Sequence, residues 1–326
     1  MRVWFLLVAL LCACPVSNAF AGAEPFHAGI SRFAVSGNAP FDVLVWYPTN
    51  DEEMPWEMDS FPIAASHDAA ITEGHFPVVL LSHGGGMTGG RPLVLRELSA
   101  DLARHGFVVV APFHGTTGLL GRTLQVRQAL DAVLANPRFK SHTDPTRLGM
   151  LGFSLGTAVT LELAGATPDF ARLDAYCEAH PDDVMSCDNA PGGGGRKMTP
   201  APWWAFWLRS APSASPLPLK AIVLLDPFAV LFPRERLTSV TMPVLIFRPD
   251  HSALPGEENA VGLAAALPHP PQYQTVPGGH FIFVDVCPPF LKAAAPGVCQ
   301  DRPGVERAAI HTAVEAQITK FFNGNL

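Results

Sequence analysis

The sequence has no apolar run long enough to cross a bilayer. Its N-terminal run, Val3 to Ala13, falls well short of the ~20 residues that a spanning helix takes. Positive charge is not in excess: 22 Lys and Arg stand against 29 Asp and Glu. That acidic balance argues against nucleic acid as a partner. No C-x-x-C and no H-E-x-x-H occurs, so two common zinc signatures are missing and no metal is expected. Gly192 to Gly195 run into Arg196-Lys197-Met198. The Gly-Lys-Ser/Thr ending of a phosphate loop is absent, and the stretch reads as a flexible linker. Nothing points to an obligatory protein partner.

What is there begins with a leader. Residues 1–21 carry one charged residue, Arg2, then the apolar run, then small residues. That is the pattern of a secretory signal peptide. Ala19-Phe20-Ala21 fits a small-x-small cleavage site, and Ser17-Asn18-Ala19 is a second legal one. Lipoprotein anchoring at Cys14 is a weaker reading, because Pro15 follows and the later sites fit well. An exported chain is expected, periplasmic or secreted. Losing Arg2 takes its formal charge from −7 to −8. The remainder, 22–326, reads as one large domain with an inserted cap at 168–218. A chain of this length buries about 75% of its unfolded surface and needs no staples to fold. Of six cysteines, Cys177, Cys187, Cys287 and Cys299 outlast the leader. Four allow three pairings. Export permits disulfides, and Cys177–Cys187 with Cys287–Cys299 is the simplest set; buried free thiols are the alternative.

Hydrophobic patterning alternates strand with helix. Phe33 to Val35 and Phe41 to Tyr47 form an opening hairpin around Ser36-Gly37-Asn38. Residues 48–76 are acidic and read as irregular. Phe76 to Leu81 is a continuous apolar run suited to a strand buried on both faces. Val94, Leu98 and Leu102 share a helical face that Gly106 ends. Phe107 to Ala111 is a strand, Leu124 to Leu134 a helix, Leu148 to Gly152 a strand, and Ser154 to Ala164 a helix. After 168–218 the rhythm resumes with strands at Ala221 to Leu225, Val244 to Phe247 and Tyr273 to Val276. A helix from about Val305 to Phe322 closes the chain. Such alternation predicts an α/β fold, a mostly parallel sheet with helices on both faces. Ligands then bind beyond the carboxyl ends of the strands.

The chemistry-bearing residues fall at those ends. Gly152-Phe153-Ser154-Leu155-Gly156 is a G-x-S-x-G elbow between a strand and a helix. The turn strains the serine backbone, needs small residues two before and two after, and aims a helix N-terminus at the reacting carbonyl. An ordinary tight turn is the bland alternative. Acyl transfer needs oxyanion donors. Leu155 offers the amide after the nucleophile, and Gly85, in Ser82-His83-Gly84-Gly85-Gly86, offers a second. His83 reads as a loop brace. His280, in Pro277-Gly278-Gly279-His280-Phe281, follows a late strand and suits a general base. The acid is Asp226 or Asp250. Asp250 follows the strand that usually carries it, but Pro255 comes one residue too late for the common pattern. Either aspartate, each beside a proline, also fits a plain turn.

With these residues the chain resembles the platelet-activating-factor acetylhydrolase-like and dienelactone-hydrolase-like branch of the α/β hydrolases. The likeness runs from Val43-Leu44-Val45-Trp46-Tyr47-Pro48 through Ser82-His83-Gly84 and Gly152 to Gly156 to Gly279-His280-Phe281. It implies the α/β-hydrolase fold and ester hydrolysis by a serine triad without cofactor, on a small-molecule or lipid ester. In the acetylhydrolases the acid follows the strand that here precedes Asp226, which favours Asp226. Dienelactone hydrolases use a cysteine nucleophile, and position 154 is Ser, which speaks against that substrate. In this fold an insert such as 168–218 commonly caps the site. Trp203, Phe206 and Trp207 could line an acyl pocket there, bind lipid, or seal the core of the cap. The expected function is an exported serine hydrolase of carboxylic esters, of esterase, lipase or acetylhydrolase type. An acyltransferase or thioesterase with the same triad is one alternative. A catalytically silent binding member of the fold is another.

Overall fold

The computed structural model describes residues 26–37, 39–85, 90–187 and 214–326. The leader, its cleavage sites and Cys14 lie outside the described residues, as do Trp203, Phe206 and Trp207. The strands are β1 (His27–Val35), β2 (Phe41–Thr49), β3 (Pro55–Met58), β4 (Phe61–Ala64), β5 (Ser66–His67), β6 (Phe76–Ser82), β7 (Val108–Pro112), β8 (Thr143–Phe153), β9 (Ala221–Leu225), β10 (Val244–His251) and β11 (Gln272–Gly279). The helices are α1 (Arg96–Arg104), α2 (Leu119–Ala135), α3 (Leu155–Leu163), α4 (Phe170–Ala179), α5 (Val184–Cys187), α6 (Ala260–Ala266), α7 (Pro289–Ala294), α8 (Pro296–Cys299) and α9 (Arg307–Asn323).

Nine strands join in the order β11-β10-β9-β8-β6-β7-β2-β1-β5. From β11 to β7 every pairing is parallel. The β2 strand runs antiparallel to β7 and to β1, so the opening hairpin is an antiparallel extension of a parallel sheet. Its central strands are apolar on both faces. Val78, Leu80, Val108, Val110, Ile222 and Leu224 point to one side, packed with α2 and α3 residues such as Val126, Val133 and Val159. Val79, Leu81, Val109, Val223 and Leu225 point to the other, packed with Leu98 and Leu102 of α1 and Ile318 and Phe322 of α9. Helices on both faces leave no solvated side, which is why the strands read as unbroken apolar runs rather than alternation.

One expectation is overturned. Residues 48–76 are not irregular throughout: β2 reaches Thr49, β3 and β4 form an antiparallel two-stranded sheet, and β5 pairs with β1. Each four-residue strand turns only one or two side chains inward (Met58; Phe61 and Ile63). That is too few to register as a period.

In the segment 168–218 the structure describes α4, α5 and the stretch from Ala214. Leu173 and Tyr176 of α4 join the core on the α2 and α3 side. Cys177 is bridged to Cys187, and Cys287 to Cys299, the simplest of the three pairings. Two such bridges point to an extracellular or periplasmic protein, since cytosolic thiols are kept reduced.

Because β6, β8, β9, β10 and β11 are parallel, their carboxyl ends share one edge of the sheet. His83, Ser154, Asp226, Asp250 and His280 stand at or just past those ends.

Candidate active site

The elbow is built by close approach. An added Cβ at Gly156 would lie 1.9 Å from the Ser82 carbonyl oxygen, and one at Gly152 would lie 2.3 Å from the Gly156 carbonyl oxygen. No side chain fits at either position, so β8 can enter α3 beside β6 only with glycine at both. Between them Ser154 is forced to φ 53°, a left-handed conformation costing on the order of 1–3 kcal/mol for a non-glycine residue. The surroundings over-determine it. The Ser154 amide donates to the Leu225 carbonyl at 3.0 Å, extending the β8–β9 ladder one step. Thr157 Oγ1 donates to the Ser154 carbonyl at 2.6 Å and accepts from the Phe228 amide at 2.9 Å. All nine residues of α3 are buried.

Asp226 also has positive φ, 42°, and its amide continues the sheet by donating to the Phe247 carbonyl at 2.8 Å. Two strained residues at neighbouring strand ends put the two side chains on the same edge. His280 completes the line from the loop after β11. Its Nε2 lies 3.0 Å from Ser154 Oγ and its Nδ1 2.6 Å from Asp226 Oδ2. An ionised carboxylate can only accept, so Nδ1 carries the proton and the Nε2 lone pair faces the serine hydroxyl. All three residues are at least nine-tenths buried. Phe153 stacks on the imidazole at 5.2 Å and Phe281 meets it edge-on at 4.9 Å. The imidazole thus packs between two aromatic side chains.

Asp250 stands elsewhere. Its Oδ1 accepts the Gly278 amide at 2.9 Å, and the side-chain hydrogen bonds of the imidazole run to Asp226 and Ser154.

The glycine loop lies against Ser154: a Cβ at Gly84 would be 3.0 Å from that of the serine. Three buried side chains brace it. His83 Nε2 accepts the His114 amide at 3.4 Å, which leaves the proton on Nδ1, 2.8 Å from the Gly84 carbonyl. His114 spans Ser82 Oγ at 3.0 Å and Gln125 Oε1 at 2.9 Å. Burial pushes the His83 imidazole down to about 3, with the Arg122 charge acting in the same direction. His114 is driven well below its ordinary value by burial first, with its neighbours His83 and Arg122 acting in the same direction. Both rings are therefore neutral near pH 7, and His83 serves the loop rather than proton transfer.

Arg122, on α2, sends its guanidinium to the carbonyls of Thr117 at 2.8 Å, His83 at 3.1 Å and Gly85. Burial lowers it to about 10, so it remains charged at neutral pH. In a trans peptide the N–H points opposite to the preceding C=O. Drawing the Gly84 carbonyl toward His83 and Arg122 turns the Gly85 amide the other way. Leu155 is the first residue of α3, and its amide is one of the four that a helix N-terminus leaves without an intrahelical partner.

The structure thus brings Ser154, Asp226 and His280 together beside the loop of Gly85 and the amide of Leu155. Sequence reasoning missed Phe153, Thr157, Arg122 and Ser252, the last of which donates to Asp226 Oδ2. Phe153 and Thr157 flank the elbow serine and could have been suspected. Arg122 and Ser252 leave no local trace, since the site residues they hold, His83 and Asp226, lie 39 and 26 positions away.

No protein-family profile matches the chain, and no curated relative does. Among solved structures, a ferulic acid esterase from Streptomyces cinnamoneus superposes with a TM-score of 0.59 at 20% sequence identity. The alignment covers 95% of this chain and 92% of that one. The architecture is that of the α/β-hydrolase fold.

Proposed function

We propose that this protein is an exported serine hydrolase that cleaves carboxylic esters through an acyl-enzyme. The observation that carries the proposal is the unbroken line from Ser154 Oγ through the His280 ring to Asp226 Oδ2, at 3.0 and 2.6 Å.

Ser154 attacks the ester carbonyl while His280 Nε2 takes its proton. Asp226 holds the productive tautomer and stabilises the imidazolium that forms. Negative charge on the carbonyl oxygen is met by the amides of Leu155 and Gly85 and by the N-terminus of α3, fixed dipoles that need no reorganisation. His280 then protonates the leaving alkoxide. A water molecule, deprotonated by His280, attacks the acyl-enzyme carbonyl and releases the acid and free Ser154. No cofactor enters these steps.

An ester is favoured as substrate by the likeness to a structure named a ferulic acid esterase and by the resemblance to the acetylhydrolase-like branch. The export reading draws on the signal-peptide pattern of residues 1–21 together with the two disulfides. We assign 168–218 as a cap on the site, with Trp203, Phe206 and Trp207 as its acyl-contacting rings.

The test is labelling by a fluorophosphonate together with hydrolysis of p-nitrophenyl esters of graded length. Wild type should label at Ser154 and turn over, and Ser154→Ala should do neither while keeping its circular dichroism. Full activity in Ser154→Ala would sink the mechanism. Trp207→Ala should raise KM for medium-chain esters more than for acetates. A loss independent of chain length would leave these rings as cap core.

A further inference from the structure

The turn after β10 is the part of the sequence that fits the triad pattern least. It puts Asp250-His251-Ser252 where an acid is commonly found, yet the carboxylate beside the imidazole comes from β9. We propose that Ser252 is a positioning residue for Asp226: its hydroxyl shares the carboxylate oxygen used by His280 and locks that oxygen in place. The proposal rests on the serine-hydrolase reading above.

Asp226 Oδ2 accepts from His280 Nδ1 at 2.6 Å and from Ser252 Oγ at 2.5 Å. Its other oxygen, Oδ1, is buried and has no hydrogen-bond partner among the described residues. Every hydrogen bond described for this carboxylate therefore falls on one atom. The terminal torsion of an aspartate is broad, so nothing intrinsic fixes the angle at which the carboxylate presents an oxygen to His280. A second donor on the same oxygen, arriving from the turn that follows β10, narrows that angle. Asp226 is 1% exposed, so a lost donor is not simply replaced by bulk solvent.

The direction of the hydrogen bond is set by chemistry. A hydroxyl has one proton and two lone pairs. Ser252 Oγ accepts the Leu254 amide at 3.0 Å, and an ionised carboxylate has nothing to donate, so the Ser252 proton goes to Asp226. The backbone holds the hydroxyl there: the Ser252 amide donates to the Pro249 carbonyl at 3.2 Å, closing the turn that leaves β10. The same turn carries Asp250, which anchors Gly278 two residues before the base. One turn thus steadies the acid through Ser252 and the loop of the base through Asp250.

A fourth side chain that merely folded the turn would affect stability. One that orients the acid must affect the chemical step. The experiment compares wild type, Ser252→Ala and Ser252→Thr by kcat and KM on a p-nitrophenyl ester, fluorophosphonate labelling rate and melting temperature. Ser252→Ala should lower kcat and the labelling rate together by roughly 10- to 100-fold, short of the ~10⁴ that a triad acid itself carries. KM and melting temperature should stay close to wild type, and Ser252→Thr, which keeps the hydroxyl, should recover most of the rate. Wild-type kcat in Ser252→Ala, with wild type labelling normally, overturns the proposal and leaves the serine-hydrolase reading intact. A fall in both rate and melting temperature that threonine does not rescue also overturns it, by assigning Ser252 to the fold of the turn. Failure of wild type itself to label overturns both readings.

Discussion

Asp250 and Gly278 are joined by a hydrogen bond from the glycine amide to the carboxylate at 2.9 Å. The aspartate at the end of β10 thereby holds the backbone that leads into His280 instead of touching its ring. The two candidate acids consequently have different jobs, and substitution should separate them. Asp226→Asn should cost on the order of 10⁴ in kcat by destabilising the working tautomer, as in a well-studied protease. Asp250→Asn keeps an acceptor for Gly278 and should cost less than about tenfold. Steady-state kinetics of both variants on one ester checks the ranking, and the reverse order would move the acid to Asp250.

The Arg122 guanidinium holds the glycine loop, the proposed oxyanion loop, through carbonyls of residues 83–85. Arg122→Met removes these donors and leaves buried carbonyls unsatisfied, each worth about 1–3 kcal/mol. We expect a clear fall in melting temperature and a loss of kcat larger than any change in KM. Arg122→Lys should restore charge without the planar fork and recover only part of the rate. Thermal melts and kinetics on the two variants decide it; an unaffected kcat in a stably folded Arg122→Met would show that the loop does not depend on the guanidinium.

Acid should weaken the fold through His83 and His114. Both are held neutral in the folded protein, His83 down to about 3, whereas an unfolded histidine protonates near 6.5. The folded state is thus the one that binds fewer protons. The stability these groups contribute is complete above about pH 6.5 and is lost as pH falls from there toward 3, because protonation favours the unfolded chain. A series of denaturant melts between pH 7 and 4.5 should show falling stability. His83→Asn, which retains a donor for the Gly84 carbonyl, should flatten the slope; an unchanged slope would assign the acid sensitivity to other groups.

The Cys287–Cys299 bridge spans 12 residues of sequence just beyond the His280 loop. Closing a loop of that size stabilises a fold by roughly 3 kcal/mol in the chain-entropy model. The Cys287→Ser, Cys299→Ser double variant should lose about 2–3 kcal/mol in urea unfolding. Since the hydrogen bonds joining Ser154, His280 and Asp226 do not involve the bridge, its kcat at 25 °C should remain within about twofold of wild type, and a larger fall would mean that the bridge tunes the position of His280.

Much of this molecule can be read from local pattern. A strand covered on both faces must be apolar throughout, so β6, β7 and β9 stand out as short unbroken runs. A serine between a strand and a helix needs glycine two positions to either side, so residues 152–156 identify themselves. The β3–β4 sheet is invisible for the converse reason, because strands of four residues carry too few inward side chains to make a period.

Which aspartate meets His280 was a different kind of question. Asp226 and Asp250 both follow strands and both neighbour a proline. Only the order β11-β10-β9-β8 and the positive φ of Asp226 decide which carboxylate reaches the imidazole. The bonds that complete the site link residues 26, 39, 54 and 126 positions apart. The sequence by itself determined the longer elements and the tight elbow around Ser154, because those depend on near neighbours and on steric limits of single residues. The tertiary structure alone decided which aspartate meets His280, the Arg122 brace on the Gly85 loop and the place of Ser252. Hydrogen bonds of 2.5 to 3.1 Å between separate strands and helices exist only once the sheet has set the distances between them.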